Sequence, residues 1–273
     1  MVRLHAQRSQ SFATFFLRNR AELELMGRLV HQKAHGSTLD ISVLACSKGA
    51  EVYSILWSIR RARPDLRLRM QAVDVAQEIL EFAARGVYSR NGLPALNAPD
   101  EDGKRKGGDM TWKDQPVSIF ERMTGEEMEA VFELEGDQAR VRPWLKEGIT
   151  WHRGDAADPE LVDVLGPQDI VVANRFLCHM EPVAAGTCLR NIARLVKPGG
   201  YFFVSGIDLD VRTTVAQEMG WKPVTDLMRE IHDGDASVRR GWPLEYWGLE
   251  PFCGDRPDWR IRYASVFQIG KTP

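Results

Sequence analysis

The stretch from Asp40 to Asp74 constrains the fold of this chain more than any other. A short apolar run over residues 40–46 leads into a turn that contains Gly49, and a segment with helical spacing follows. A second run over residues 66–73 then ends in Asp74. A buried parallel strand that passes into a crossover helix has this pattern. The sequence therefore predicts a strand–helix–strand unit of an open α/β sheet.

The same unit predicts a binding site for a nucleoside. In such units the turn brings backbone N–H groups close to the ligand, and the acid at the tip of the second strand accepts hydrogen bonds from the ribose. A pyrophosphate needs several glycines in this turn, whereas this one contains only Gly49. A ligand with a ribose and no phosphate fits better, and S-adenosylmethionine is such a ligand. The alternative is an unrelated α/β domain whose second strand happens to end in Asp74.

Size and composition limit the class of protein. The 273 residues suit one large α/β domain, or one domain with an insertion. Hydrophobic content of 44% and a net charge of -2 are ordinary for a soluble protein and give no overall attraction to nucleic acid. Since the sequence also has no signal-peptide pattern and no apolar span long enough to cross a bilayer, we expect a cytoplasmic protein.

The cysteine pattern gives no sign of a metal site. The four cysteines form no C-x-x-C pair, and the histidines are not clustered. Zinc and a disulfide framework are therefore not expected. Cys46 lies at the end of the first strand, beside the predicted ligand site, where a buried cysteine also serves as a small apolar residue.

Further candidate residues follow the later strands. Asp155 comes after a third strand over residues 149–153, and Asn174 and Arg175 end a fourth strand. Ligands of open α/β sheets gather at the carboxyl ends of the strands. We therefore expect these three side chains to lie near Glu51 and Asp74.

The remaining segments predict three parts of the chain. Residues 1–37 form an N-terminal helical segment that caps the ligand site, with Thr14 and Arg18 on one helical face. Residues 38–92 and 149–273 form the α/β domain, and residues 93–148 form a small inserted subdomain with a mobile loop. Between residues 206 and 258, aromatic residues line a substrate pocket or form a satellite core; they are Trp242, Tyr246, Trp247 and Phe252.

Several motifs in the same order resemble those of the CheR family, the chemotaxis receptor glutamate methyltransferases. Residues 49–54 are similar to its Gly-Glu-Glu-Pro-Tyr-Ser loop, and residues 14–18 are similar to its Thr-x-Phe-Phe-Arg element. Asp74 and residues 77–88 are similar to the family run that starts with Asp and ends with Gly-x-Tyr. The insertion lies where the family carries its small β-subdomain.

The resemblance implies a Rossmann-like class I methyltransferase with a mainly parallel seven-stranded sheet, helices on both faces and a small inserted subdomain. It implies S-adenosylmethionine as the cofactor and a protein carboxylate as the methyl acceptor. The predicted cofactor-binding residues are Thr14, Arg18, Cys46, Gly49, Glu51, Asp74, Asp155 and Asn174.

The chain departs from the family after the fourth strand. The family sequence there is Cys-Arg-Asn-Val-x-Ile-Tyr-Phe, whereas this chain has Asn174 before Arg175 and His179 in place of the tyrosine. These are the predicted catalytic residues. Arg175 would aim a carboxylate through two hydrogen bonds, and His179 would take a proton from a hydroxyl or amine acceptor. Each also has a structural alternative, a salt bridge for Arg175 and simple packing for His179.

Three hypotheses follow about the function. The first is a protein carboxyl methyltransferase, and the second is a small-molecule O- or N-methyltransferase of the same fold. The third is a cofactor-binding regulatory or scaffold module without turnover, which is favoured only if the pocket is closed. An open groove favours a protein acceptor, whereas a lidded aromatic pocket favours a small molecule.

Overall fold

The computed structural model describes residues 14–91, 118–234 and 250–270. The helices are α1 Arg20–Val30, α2 Ala50–Ala62, α3 Gln77–Arg85, α4 Gly125–Val131, α5 Pro143–Lys146, α6 Leu161–Leu165, α7 Pro182–Ala193, α8 Leu209–Glu218, α9 Met228–Asp233 and α10 Trp259–Tyr263. The strands are β1 Thr38–Leu44, β2 Arg67–Asp74, β3 Val87–Ser89, β4 Phe132–Glu135, β5 Gln138–Val141, β6 Ile149–Arg153, β7 Gln168–Asn174, β8 Val196–Ser205, β9 Lys222–Pro223 and β10 Val266–Gln268. A short 3-10 turn covers Leu177–His179.

The main sheet has seven strands in the order β6-β2-β1-β7-β8-β10-β9. The first five strands of this order run parallel, and β10 pairs antiparallel with both β8 and β9. The chain therefore starts in the middle, winds to one edge, and returns to build the other half. Ligands of such sheets bind where the winding reverses, which here is the carboxyl edge between β1 and β7. The predicted fold class is confirmed.

Apolar residues of the central strands alternate between two cores. In β7, Ile170 and Val172 belong to the core beneath α1 and α2, whereas Val171 and Ala173 belong to the core beneath α7 and α8. All four side chains are fully buried. A parallel sheet covered on both faces needs near-continuous apolar strands, and the sequence of β7 meets this need.

A second sheet of three antiparallel strands, in the order β3-β5-β4, forms a small subdomain. It packs on the segment before α1 through edge-to-face contacts of aromatic rings. The ring centroid of Phe16 lies 5.2 Å from that of Tyr88 and 5.0 Å from that of Phe132. The sheet includes Val87–Ser89, which comes before the predicted boundary at residue 93. Of the predicted mobile loop, residues 92–117 lie outside the described ranges.

The prediction that Thr14 and Arg18 share a helical face is wrong. Leu17 has a φ of 49°, and α1 begins only after Asn19, whose side chain caps it by accepting from the Glu22 N–H. The Phe16 N–H donates to Ile119 O at 3.0 Å, and the Leu17 N–H donates to Ser54 Oγ at 2.9 Å. These long-range bonds replace helical ones, so the segment is a turn that lies against the sheet edge.

Near the end of the chain, a short helix precedes the last strand of the main sheet. Residues Trp259–Tyr263 form α10, and the strand is limited to Val266–Gln268. Among the residues predicted to line an aromatic pocket, Trp242, Tyr246 and Trp247 lie outside the described ranges. Phe252 packs against Tyr263 with ring centroids 4.6 Å apart.

Candidate active site

A cavity lies at the carboxyl edge of the sheet, next to the point where the winding reverses. One wall comes from the turn before α1 and from α1, through Arg18 and Glu22. Glu51 of α2 and Asn174 at the tip of β7 form its floor, together with Ser205 at the tip of β8. The far wall comes from α8, α9 and α10, through Arg212, His232 and Tyr263.

The Asn174 amide organises the floor of the cavity. Its Nδ2 donates to Glu22 Oε1 at 2.9 Å and to Glu51 Oε1 at 2.8 Å. Its Oδ1 accepts from Ser205 Oγ at 2.8 Å. The Asn174 nitrogen donates and the carboxyl oxygens accept, so the nitrogen end of the amide faces the two acids. Two carboxyl groups are thereby held against one nitrogen atom.

These carboxyl groups lie in a crowded electrostatic environment. Burial, and then the charge of Glu51, raise the pKa of Glu22 to about 7, while Asn174 and the nearby Arg175 and Arg18 oppose this shift. Burial also raises the pKa of Glu51. The pKa of Arg175 is lowered by burial and by the charge of Arg18, but a guanidinium stays protonated in proteins. The cavity therefore concentrates buried charge of both signs.

The backbone holds Arg175 in a left-handed conformation. Its φ is 63°, and its N–H donates to Ser205 O at 2.8 Å. The neighbouring Gly206 also has a positive φ of 62°, and a Cβ on it would lie 2.6 Å from Arg175 Cα. Real Cβ atoms do not approach backbone so closely. Gly206 is therefore required for the close approach that sets the direction of Arg175.

We expect Gly206→Ala to destabilise the fold by about 2 kcal/mol more than Gly220→Ala, and to lower activity by displacing Arg175. Gly220 is a matched control because it has nearly the same φ, 63°, and a Cβ added to it would meet nothing within 4 Å. Denaturant unfolding of both variants measures the difference. Equal destabilisation would mean that the contact with Arg175 carries no cost.

Asp74 lies at the tip of β2 and connects two loops. Its Oδ2 accepts from the Ser47 N–H at 2.9 Å, and its Oδ1 accepts from the Ala76 N–H at 3.1 Å. A carboxylate has about four acceptor positions, so these bonds leave capacity for the hydroxyls of a ribose. The side chain is 6% exposed and does not line the cavity described above.

Gly49 permits the turn between β1 and α2. Its φ is 81°, and a Cβ on it would lie 3.0 Å from Ala83 Cβ and 3.3 Å from the Trp151 ring. Its N–H donates to Cys46 O at 3.0 Å. This glycine therefore allows tight packing of the turn in addition to any approach of a ligand.

The cavity brings together only some of the predicted site residues. Arg18, Glu51, Asn174 and Arg175 line it. Six others do not: Thr14, Cys46, Gly49, Asp74, Asp155 and His179. The Cys46 thiol is buried, and burial raises its pKa well above the usual range. Asp155 Oδ1 accepts from the Ala157 N–H at 2.9 Å, and burial lowers the pKa of His179 on its 3-10 turn.

Sequence reasoning missed Glu22, Arg212, His232 and Tyr263 as cavity residues. Glu22 lies in the first turn of α1, where an acid is ordinarily explained by the helix dipole. Arg212 and Tyr263 come from elements far along the chain, and no spacing connects them to the strand tips. The spacing of four residues between Arg18 and Glu22 was the one local feature of the sequence that could have indicated Glu22 as a cavity residue.

The chemistry of these residues fits S-adenosylmethionine. Its α-ammonium needs carboxylates, which the cavity contains, and its α-carboxylate needs a cation. Arg18 Nε is buried and has no hydrogen-bond partner among the described residues, so it suits that carboxylate. Asp74 would hold the ribose.

The described residues contain no cluster of His, Cys, Asp or Glu suited to a metal, and no described helix is long and apolar enough to cross a membrane.

Two family models match the chain. Residues 13–101 match the model described as "CheR methyltransferase, SAM binding domain", and residues 124–204 match the model described as "Methyltransferase domain". The first match covers the turn before α1, the Gly49 loop and Asp74. The predicted resemblance to the CheR family and the predicted cofactor are confirmed.

Two curated relatives are similar over much of the chain. The probable biofilm formation methyltransferase WspC of Pseudomonas aeruginosa is 23% identical over 231 residues, which is 83% of this chain and 48% of that protein. An uncharacterized 104.1 kDa protein of Rhodobacter capsulatus is 27% identical over 183 residues, which is 65% of this chain and 16% of that protein. The chain thus spans half or less of either relative.

Solved structures resemble the chain more weakly. The N-methyltransferase NodS of Bradyrhizobium japonicum in complex with S-adenosyl-l-homocysteine has a TM-score of 0.39 and 14% identity, covering 77% of this chain and 78% of that one. The magnesium protoporphyrin IX methyltransferase ChlM of Synechocystis with bound SAM has a TM-score of 0.39 and 12% identity, covering 75% and 71%.

Proposed function

We propose that this chain, an S-adenosylmethionine-dependent methyltransferase of the CheR type, transfers the methyl group to a carboxylate on a protein. The charge of the cavity carries the choice of acceptor. Among the described residues, three guanidinium groups line it against two carboxyl groups. The cations are Arg18, Arg175 and Arg212, and the acids are Glu22 and Glu51.

This charge count favours an anionic acceptor. The cofactor has a sulfonium, an ammonium and one carboxylate, so it brings one net positive charge to a cavity that already has an excess cation. Buried charge without a partner costs several kcal/mol, on the order of that for other unpaired ions in proteins. A carboxylate acceptor would neutralise part of the excess, whereas an amine or a neutral hydroxyl would not.

A carboxylate acceptor also matches what the side chains can do. It is ionised at neutral pH, so no residue has to remove a proton. The Arg175 guanidinium can donate two parallel N–H bonds to a carboxylate and so orient it. When bound, the cofactor supplies a methyl carbon activated by the sulfonium. The task left to the chain is to hold the acceptor in line and to exclude water.

The assignment of a protein acceptor depends on the resemblance to the CheR family and on the relative of Pseudomonas aeruginosa. That relative is named as a probable biofilm formation methyltransferase, and it is similar over 83% of this chain. We extend the acceptor class of the CheR family to this chain as part of the proposal. A glutamate on a receptor-like helix is the acceptor that this class implies.

One observation favours the alternative of a small-molecule hydroxyl or amine acceptor. His232 lines the far wall of the cavity, packs on Phe252 and Tyr263, and has its pKa lowered by burial. Its neutral imidazole could accept a proton. The third hypothesis, a module without turnover, is favoured only by a closed pocket, whereas the described residues line a cavity.

Labelling with methyl-labelled cofactor tests the acceptor. The chain is incubated with the cofactor and extracts of bacterial cells, and the labelled products are separated by size and treated with mild alkali. We expect label in protein that alkali releases as methanol, as for a carboxyl ester. Alkali-stable label in a small metabolite would contradict the proposal and support the alternative.

Histidine substitutions test the need for a base. For a carboxylate acceptor, we expect His179→Ala and His232→Gln to change turnover by no more than about threefold, because neither imidazole has a proton to remove. Affinity for S-adenosylhomocysteine should also stay nearly unchanged. Steady-state rates with the true acceptor check this. A loss of about a hundredfold in either variant, with the fold intact, would indicate an acceptor that must lose a proton.

A further inference from the structure

The two carboxyl groups on the Asn174 amide form a pair that the acceptor chemistry does not use. Glu22 and Glu51 come from different helices, yet their Oε1 atoms lie 2.9 and 2.8 Å from the same Nδ2 atom. Glu22 is 7% exposed. Glu51 is a predicted cofactor-binding residue, whereas the sequence predicts no role for Glu22.

We propose that Glu22 is the second carboxylate of the subsite that binds the α-ammonium of S-adenosylmethionine, and that it makes cofactor affinity depend on pH. The proposal rests on the assignment of the cofactor and is independent of the acceptor. It assigns Glu22 a role that the CheR-like motifs do not contain, because Glu22 lies after the motif of residues 14–18.

Electrostatics provide the first argument. Two buried carboxylates in one cavity repel, and the pair lowers its free energy either by keeping a proton or by binding a cation. The shift of the Glu22 pKa to about 7, caused by burial and then by Glu51, indicates that the pair by itself keeps a proton near neutrality. An ammonium between the two acids would stabilise both in the ionised form and displace that proton.

The position of Arg18 provides the second argument. Its Nε is buried without a hydrogen-bond partner among the described residues, and its side chain lines the same cavity as Glu22. The two acids suit an ammonium group and Arg18 suits a carboxylate group, and an α-amino acid carries both groups on one carbon atom. The methionine end of the cofactor is such a group, whereas its adenosine end is not.

Other charged groups face Glu22 and bear on the pH dependence. Glu51 faces it from α2, Arg18 from the turn before α1, and Arg175 from the end of β7. Arg212 of α8, His232 of α9 and Tyr263 of α10 line the same cavity. Burial lowers the pKa of His232 below its ordinary value, which itself lies close to neutrality, so the variant His232→Gln serves as a control for its contribution.

The sign of the effect follows from linkage. Below pH 7 Glu22 is largely protonated, and cofactor binding must release this proton; above pH 7 the site is already ionised. Affinity for S-adenosylhomocysteine should therefore rise about tenfold between about pH 5.5 and pH 7, and then level off. S-adenosylhomocysteine is a suitable probe because it keeps the α-amino acid end and is not consumed.

Calorimetry at several pH values tests the proposal. The probes are S-adenosylhomocysteine and the analogue that lacks only the α-amino group, and the variants are Glu22→Gln, which keeps the bond to Asn174, and Glu24→Gln. Glu24 is a matched control because it lies on the same helix and pairs with Arg28 at the surface. We expect the native chain and Glu24→Gln to show the pH dependence, and Glu22→Gln to lack it. The analogue should bind all three proteins with little pH dependence.

Two results would overturn the proposal. The first is an unchanged pH dependence in Glu22→Gln. The second is an equal loss of affinity for both probes in that variant, because a merely structural role would not distinguish the amino group. Thermal unfolding and the variant Glu22→Asp identify a folding defect, since Asp keeps the charge and should retain the pH dependence. Neither result bears on the acceptor, which is absent from these measurements.

Discussion

Replacing Arg175 by methionine is expected to lower turnover about a hundredfold or more, and to change affinity for S-adenosylhomocysteine by less than about fivefold. Removing one partner of a buried charged hydrogen bond costs about 2–5 kcal/mol, and the acceptor carboxylate would lose its bidentate donor. Arg175→Lys should recover part of the loss, because lysine keeps the charge and loses the planar fork. Steady-state rates and calorimetry provide the two readouts.

The variants at Arg175 compare well because arginine, lysine and methionine are all unbranched at Cβ and have a similar strain at the φ of 63°. Arg190→Met is a suitable control, since Arg190 lies on α7 and pairs with Glu218 at the surface. We expect this control to match the native rate. Full turnover in Arg175→Met would remove Arg175 from the acceptor site and leave the carboxylate proposal without its orienting group.

Replacing Asp74 by alanine is expected to weaken binding of S-adenosylhomocysteine by about 2–3 kcal/mol, or on the order of a hundredfold. The loss combines the bonds to the ribose with the bonds that Asp74 accepts from the N–H groups of Ser47 and Ala76. The second contribution holds the turn after β1 in place. Calorimetry of the variant measures the total effect.

A second ligand separates the two contributions of Asp74. S-adenosylhomocysteine without its ribose hydroxyls should lose less affinity on Asp74→Ala than the complete ligand does, because only the contribution of the turn after β1 then remains. Asp163→Ala provides a control because Asp163 is exposed on α6. Unchanged affinity in Asp74→Ala would contradict the placement of the ribose at the tip of β2.

The sheet could be predicted because its signals are local. The apolar strands β1, β2 and β7 read as buried strands, and the sequence also indicated that Asp74 and Asn174 end two of them. Since parallel strands end at one edge, this pattern is enough to place the site near the carboxyl ends. The motif of residues 14–18 predicted Arg18 as a cofactor-binding residue, and Arg18 lines the cavity.

The features that the sequence did not predict depend on contacts between residues distant in the chain. The turn at Leu17 exists because its N–H bonds to Ser54, and no pattern within residues 14–18 reveals that bond. Helix α10 is supported by Arg262, which pairs with Glu250 and Asp210. These acids lie 12 and 52 residues before it in the sequence. The role that we propose for Glu22 could not be seen in the sequence, because Asn174 joins Glu22 to Glu51 only when α1 lies against the tip of β7.

A crystal structure of the chain with S-adenosylhomocysteine tests the central claim most directly. We expect the ribose hydroxyls on the Asp74 carboxylate, the α-carboxylate on Arg18, and the α-amino group between Glu22 and Glu51. A nucleoside bound away from the carboxyl edge of β1 and β2, or an amino group turned away from both acids, would contradict the claim.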